Sequence, residues 1–232
     1  IKWYLLAANE GEMKSQAKLG YIYYEGLGVS RNHKKGVNWY QLAAEQGDTD
    51  SQSKLGKMYF EGTGVMKSYK QAIKWYQLAA DQGNTEAQSS LGEIYAKGKG
   101  ISQDSQEAVK WYQLAADQGN IEAQSSLGEI YAKGQGVVSQ NSQEAFKWYM
   151  LAAEQGSTEA QYNLGEMYAK GQGVSQNSQE AVKWYHRAAE QGNIEAQSSL
   201  GAMYAEGTGV EKNYKEAITW FISAAKQSDS NG

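Results

Sequence analysis

Side chains that could do covalent or metal chemistry are few in this chain, and they are poorly placed for it. Histidine occurs twice, as His33 and His186, far apart in the chain and with no cysteine to complete a metal-binding set. Serines are numerous, but none sits in a nucleophile-elbow pattern. Gly-x-Gly recurs from Gly26/Gly28 to Gly207/Gly209, yet each pair follows a helical pattern, whereas a phosphate-binding loop follows a strand and opens a helix. No nucleophile–base pair emerges, so neither catalysis, as in a hydrolase, nor a cofactor is expected.

Recognition suits the remaining residues better. Tyr21, Tyr24 and Phe60 are aromatic where later copies of the same positions carry Glu or Ala. Lys57, Glu93, Lys97, Glu129, Lys133, Glu166 and Lys170 form columns of charge. The aromatics read either as anchors for a bound peptide or as packing between neighbouring elements. Glu93–Lys97, Glu129–Lys133 and Glu166–Lys170 read either as a charged groove wall or as ordinary i,i+4 ion pairs on a solvated helix face.

The elements that must position these residues are repeats. Trp3, Trp39, Trp75, Trp111, Trp148, Trp184 and Trp220 are spaced 36, 36, 36, 37, 36 and 36 residues apart, and no other tryptophan occurs. Of the 26 glycines, 24 keep the same register, which implies a backbone requirement that recurs with the repeat. A period of this size signals a solenoid, whose units each bury an apolar face against the next. The single longer gap holds Val137-Val138 where the other copies have one Val or Ile, an insertion placed in a loop.

Residues 84–119 illustrate one unit. Asn84 reads as an N-cap, matched by Asp48, Asn120, Ser157 and Asn193. A helical pattern with Ala87, Leu91, Ile94 and Tyr95 on one side follows and ends at Gly98. Asp104 through Glu107 resembles a capping box opening a second helix that runs to about Gln118. That helix is apolar over too wide an arc for a single neighbour, so it should be wedged between its own partner and the next unit. Gly92 and its equivalents each cost about 1 kcal/mol relative to Ala inside a helix, so close helix approach, with Trp and Tyr filling the surrounding space, is expected to compensate.

A net charge of −4 gives no footprint for nucleic acid. No apolar run is long enough to span a bilayer. The absence of proline suits a nearly all-helical chain.

Leu-Gly-x-x-Tyr, then Gly-x-Gly-Val, then Ala-x-x-Trp-Tyr-x-x-Ala-Ala-x-x-Gly resembles the Sel-one-like repeat, a cousin of the tetratricopeptide repeat, over essentially the whole chain. The resemblance implies an all-α fold, a right-handed α-solenoid superhelix of antiparallel helix pairs, acting as a protein–protein interaction scaffold, often in bacteria. It also implies that the first helices line a concave face. Tyr21, Tyr24, Lys57, Phe60, Glu93, Lys97, Glu129, Lys133, Glu166 and Lys170 would then contact a protein or peptide partner. A spacer with no groove ligand is the alternative, since residues 84–119 and 120–156 are nearly identical.

The expected organisation is a single repeat domain. A lone second helix (1–10) would precede full repeats at about 12–47, 48–83, 84–119, 120–156, 157–192 and 193–228, before a polar tail at 229–232. An opening on Ile1-Lys2-Trp3, already inside a repeat, reads as a trimmed fragment and leans the expectation toward the bacterial periplasm or secretion. Ile1, Trp3, Tyr4 and Leu5 should be partly exposed or covered by end-to-end self-association through residues 1–5. The stretch from Lys226 to Gly232 should fray.

Overall fold

A computed structural model describes residues 1–134 and 139–230, with side chains placed as far as Gln227. The Val137-Val138 insertion and the last two residues lie outside the described residues. Among the described residues there are thirteen helices and no strand. No helix there is long and apolar enough to cross a membrane.

Two compact units divide the chain at Gln118/Gly119. The first holds α1 (Lys2–Asn9), α2 (Met13–Glu25), α3 (His33–Glu45), α4 (Thr49–Glu61), α5 (Tyr69–Asp81), α6 (Thr85–Lys97) and α7 (Ser105–Asp117). The second holds α8 (Ile121–Lys133), α9 (Ser142–Glu154), α10 (Thr158–Lys170), α11 (Ser178–Glu190), α12 (Ile194–Glu206) and α13 (Tyr214–Ser230). In the first unit α2 packs chiefly on α3, α4 on α5 and α6 on α7, and each pair then stacks on the next through α3–α4 and α5–α6. The second unit repeats this through α8–α9, α10–α11 and α12–α13. The outcome is an all-α solenoid of helix pairs.

Caps set the helix boundaries. The Asn84 side chain accepts a hydrogen bond from the Ala87 N–H at 2.9 Å, satisfying a donor that the first turn leaves orphaned. At the other end Gly98 takes φ +63°, a left-handed conformation that other residues enter at a cost, and its N–H closes on the Ile94 carbonyl. The capping box of α7 forms only one arm. Asp104 accepts from the Gln106 and Glu107 N–H groups, but its own N–H donates to the Tyr95 carbonyl at 3.0 Å. With that donor taken, Glu107 turns to Lys110 instead. Asn141, Asn177 and Asn213 repeat the arrangement, donating to the carbonyls of Tyr131, Tyr168 and Tyr204. Each hairpin loop is thereby tied back to its first helix.

The atoms nearest the glycine inside each first helix belong to a ring of the partner helix, tyrosine in all but the last copy, rather than to tryptophan. A Cβ on Gly56 would stand 2.6 Å from Cδ1 of the buried Tyr76 ring. Tyr40, Tyr112, Tyr149 and Tyr185 lie against the equivalent glycines, and Phe221 does so at the end of the chain. Tryptophan packs between its own partner helix and the preceding pair: Trp75 joins Leu55 of α4 and Val37 and Tyr40 of α3, and Trp184 joins Leu164 and Met167 of α10 and Tyr149 of α9. The second helices are thus wedged between two neighbours, as their wide apolar arc requires.

A buried polar relay runs beside this apolar core. Gln16, Gln52, Gln88, Gln161 and Gln197 are buried, and each donates to a carbonyl of the preceding second helix (Ala8, Ala44, Ala80, Ala153, Ala189) at 3.0–3.1 Å. Each also accepts from a glutamine near the end of its own hairpin's second helix, as Gln52 does from Gln82 at 2.7 Å. Gln227 makes the last such bond, to Gln197 at 3.2 Å. That bond lies inside the stretch expected to fray, and α13 instead runs on to Ser230.

Candidate functional site

Three consecutive first helices of the first unit, α2, α4 and α6, line a groove of about 520 Å³. Lys14, Ala17, Lys18 and Tyr21 come from α2, and Asp50, Ser51, Ser53 and Lys54 from α4. The N-caps Asp48 and Asn84, Glu86 of α6 and Tyr40 of α3 complete the lining. Tyr21 is the exposed aromatic here, at 42% accessibility, with the Lys18 ammonium 5.4 Å from its ring centroid.

The other residues expected at the site divide by environment. Tyr24 is half-buried and stacked on His33, centroids 5.0 Å apart. It shares a narrow cleft with the exposed Lys57 and with Lys54. Phe60 is half-buried, edge-on to Tyr69 at 5.4 Å and capped by the Lys99 ammonium at 4.8 Å. Tyr24 and Phe60 are therefore engaged within the chain, whereas Tyr21 is presented outward. His186 faces Glu190 at 3.3 Å and the Trp220 ring, well away from His33 in sequence and in the other unit. Among the described residues no group of three or more His, Asp or Glu is placed to hold a metal ion.

The charged columns pair within their own helices and loops. Glu93 accepts from Lys97 at 2.9 Å and from Lys99 at 2.8 Å. Glu129 pairs with Lys133, and Glu166 with Lys170. Glu166 also accepts from the buried Tyr185 hydroxyl at 2.6 Å. Partial burial pushes the Glu166 carboxyl up, but the hydrogen bonds from Lys170 and Tyr185 outweigh it and leave the group below its ordinary value. Burial, the Glu166 hydrogen bond and its charge all raise the Tyr185 phenol.

A carboxylate depressed in the folded state contributes stability that is present above the ordinary carboxylate pKa and is lost as pH falls through the folded value. Thermal melts of the wild type and Glu166→Gln should therefore differ at pH 7 and converge below about pH 4. A gap that stayed constant across that range would count against the assignment.

Sequence reading missed Lys14, Lys18, Ser51 and Lys54, although positional signals were present. Lys14 stands where the later copies carry Asp50, Glu86, Glu122, Glu159 and Glu195. Ser51 stands where they carry Ala87, Ala123, Ala160 and Ala196.

Stacked helix pairs of this kind define a solenoid repeat protein. The chain belongs to the Sel1 repeat family, whose model matches residues 1–12, 14–48, 49–84, 85–120, 121–157, 158–193 and 194–229. No curated protein matches it. Among solved structures it is similar to c5321, a protective antigen of uropathogenic Escherichia coli strains displaying an SLR fold. That likeness has 36% identity and a TM-score of 0.95, covering 99% of this chain and 49% of that one. The chain thus spans about half the length of that relative. A Sel1 repeat protein from Oxalobacter formigenes is 36% identical with a TM-score of 0.79, covering 92% of this chain and 85% of that one. Immunity protein PA5088 from Pseudomonas aeruginosa shares the fold at 22% identity and a TM-score of 0.51, with 91% of this chain and 83% of that one covered. Sel1 repeat proteins are generally non-enzymatic protein–protein interaction scaffolds.

Proposed function

We propose that this chain is an interaction scaffold that holds a peptide segment of a protein partner in the groove over α2, α4 and α6. The supporting observation is Tyr21, a large aromatic left outward on the wall of a groove built by three successive repeats. Exposed aromatics in such positions are the side chains that most often carry binding energy. Tyr24 and Lys57 share the adjoining cleft with Tyr40 and Lys54 of the wall. The Glu–Lys pairs, each closed within its own helix, serve as a solvated surface rather than as the contact.

A phage-displayed library of random peptides, panned on the immobilised chain, tests this reading. Selected peptides should bind Tyr21→Ala at least tenfold more weakly than the wild type, a typical hot-spot loss. The thermal midpoint should not change, because Tyr21 is not part of the core. Peptides indifferent to Tyr21 would reject the groove and favour a spacer role.

A further inference from the structure

A second recess lies on α1, α2 and α3 and shares no lining residue with the groove under Tyr21. Its volume is about 290 Å³. Leu5, Tyr23, Trp39 and Leu42 supply its apolar surface, and the exposed Lys35 and Asn38 supply its polar groups.

Later repeats cover the matching indole themselves. Lys74, Lys110 and Lys147, each one residue before its tryptophan, hold an ammonium 5.1–5.5 Å from the ring centroid. The Arg187 guanidinium stands 4.5 Å from that of Trp184. In three repeats a glutamate one turn earlier pairs with the lysine: Glu107 with Lys110 at 3.3 Å, Glu144 with Lys147 at 3.7 Å and Glu180 with Lys183 at 2.6 Å. Trp75, Trp111, Trp148 and Trp184 are all buried.

The first full repeat changes both members of that pair. Lys35 stands where the others carry Gln71, Glu107, Glu144, Glu180 and Glu216, and Asn38 stands where Lys74, Lys110, Lys147 and Lys183 do. An asparagine is too short to lay an aliphatic stem and a charge over the neighbouring ring, and Trp39 is only half-buried. The preceding helix adds Leu5 at a position that later reads Gln41, Gln77, Gln113, Met150 and His186. The lining therefore holds one charged group, the Lys35 ammonium, and no carboxylate. That ammonium lies 5.3 Å from the Tyr23 centroid and forms no ion pair among the described residues. An exposed lysine needs no partner by itself. This one is set apart by its place beside an indole without a cover, in a recess that has no acid of its own.

We propose that this recess is a second docking site, for a segment of a partner protein that carries an aliphatic or aromatic side chain next to an Asp or Glu. The apolar side chain covers the Trp39 indole between Leu5 and Leu42, where later repeats lay a lysine stem. The carboxylate pairs with Lys35 and so restores the ion pair with its signs exchanged. The Asn38 amide bonds the main chain of the segment.

Filling the recess from within tests this. Lys35→Glu/Asn38→Lys rebuilds the arrangement of Glu107 and Lys110, so its thermal midpoint should equal or exceed that of the wild type. Phage-displayed random peptides are panned on the Tyr21→Ala chain, which disables the groove, after depletion on the same chain carrying Lys35→Glu/Asn38→Lys. Enriched peptides should place Asp or Glu close to Leu, Ile, Phe or Trp. Synthetic copies should bind the wild type and Tyr21→Ala alike, and should bind Lys35→Glu/Asn38→Lys at least about tenfold more weakly, as expected for loss of an anchor pocket. Lys35→Ala, exchange of the peptide's acid for Asn or Gln, and raised salt should each weaken binding severalfold. In ¹H–¹⁵N spectra of the wild type, a bound peptide should shift the Asn38 side-chain amide and the Trp39 indole N–H, a readout that requires no variant to fold. Peptides that leave those two signals unmoved or bind the filled recess as tightly, or a panning without winners, would overturn the site. Neutral or basic winners that need the open recess would overturn the acidic partner. None of these results bears on the groove, whose own peptides are those that Tyr21→Ala loses.

Discussion

Gly56→Ala will destabilise the protein even though alanine is the better helix former. Alanine gains about 1 kcal/mol over glycine in a helix interior. Against that, the new methyl would stand 2.6 Å from Cδ1 and 2.8 Å from Cγ of Tyr76, atoms near the root of a buried ring with little room to swing aside. Overpacking of this kind costs about 1–3 kcal/mol or more, so the net effect should be a loss. Tyr76→Ala alone should cost on the order of 3–5 kcal/mol, since it empties the same space. In the Tyr76→Ala background the sign reverses: adding Gly56→Ala should stabilise, because the methyl enters a void and the helix preference is no longer opposed. Urea titrations of the four proteins, followed by far-UV circular dichroism, close the cycle. Additive effects would mean that the glycine is not there to admit the ring.

Gln52→Leu should cost the protein about 1–3 kcal/mol, because it removes two hydrogen bonds from a buried position. The bonds to the Ala44 carbonyl and from the Gln82 amide are lost in a position only 4% exposed, while the carbonyl keeps the Gly47 N–H at 3.0 Å and the amide keeps the Leu78 carbonyl at 3.2 Å. Gln82→Ala removes a mostly exposed partner and should cost under about 1 kcal/mol. Hydrogen exchange locates the effect: the amides of α3, α4 and α5 should lose protection in Gln52→Leu more than those of α7. A leucine variant as stable as the wild type would show that packing, rather than the relay, joins these repeats.

Much of the fold could be read in advance because the chain states each requirement six times. A single Asn or Gly is a weak signal, but Asp48, Asn84, Asn120, Ser157 and Asn193 in register leave little choice of helix start, and the observed helices begin one residue later. Contacts between helices were harder to read. The ring against Gly56 and the indole filling the previous pair are adjacent in sequence, and a one-dimensional pattern does not say which of Trp75 and Tyr76 turns which way. The half-formed capping box depended on Tyr95, nine residues upstream of Asp104. The glutamine relay was hidden by residue type, since glutamine on a helix usually reads as surface. Its signal was constancy, the same residue at Gln16, Gln52, Gln88, Gln124, Gln161 and Gln197 while flanking positions change. The groove was legible only at Tyr21. Its other distinctive residues lie earlier in the same helices, where a reversal of charge at Lys14 marks the spot.

Gln155 still reaches Gln124 at 2.8 Å although 31 residues separate them, one more than in the other links. The bond closing this hairpin thus keeps its length despite the longer sequence separation. Since each copy carries both halves of this fastening, a gene can gain or lose whole copies by unequal crossing-over and the flanking ones will clasp each other as before. The length of such a chain is then set by the number of copies rather than by any one of them.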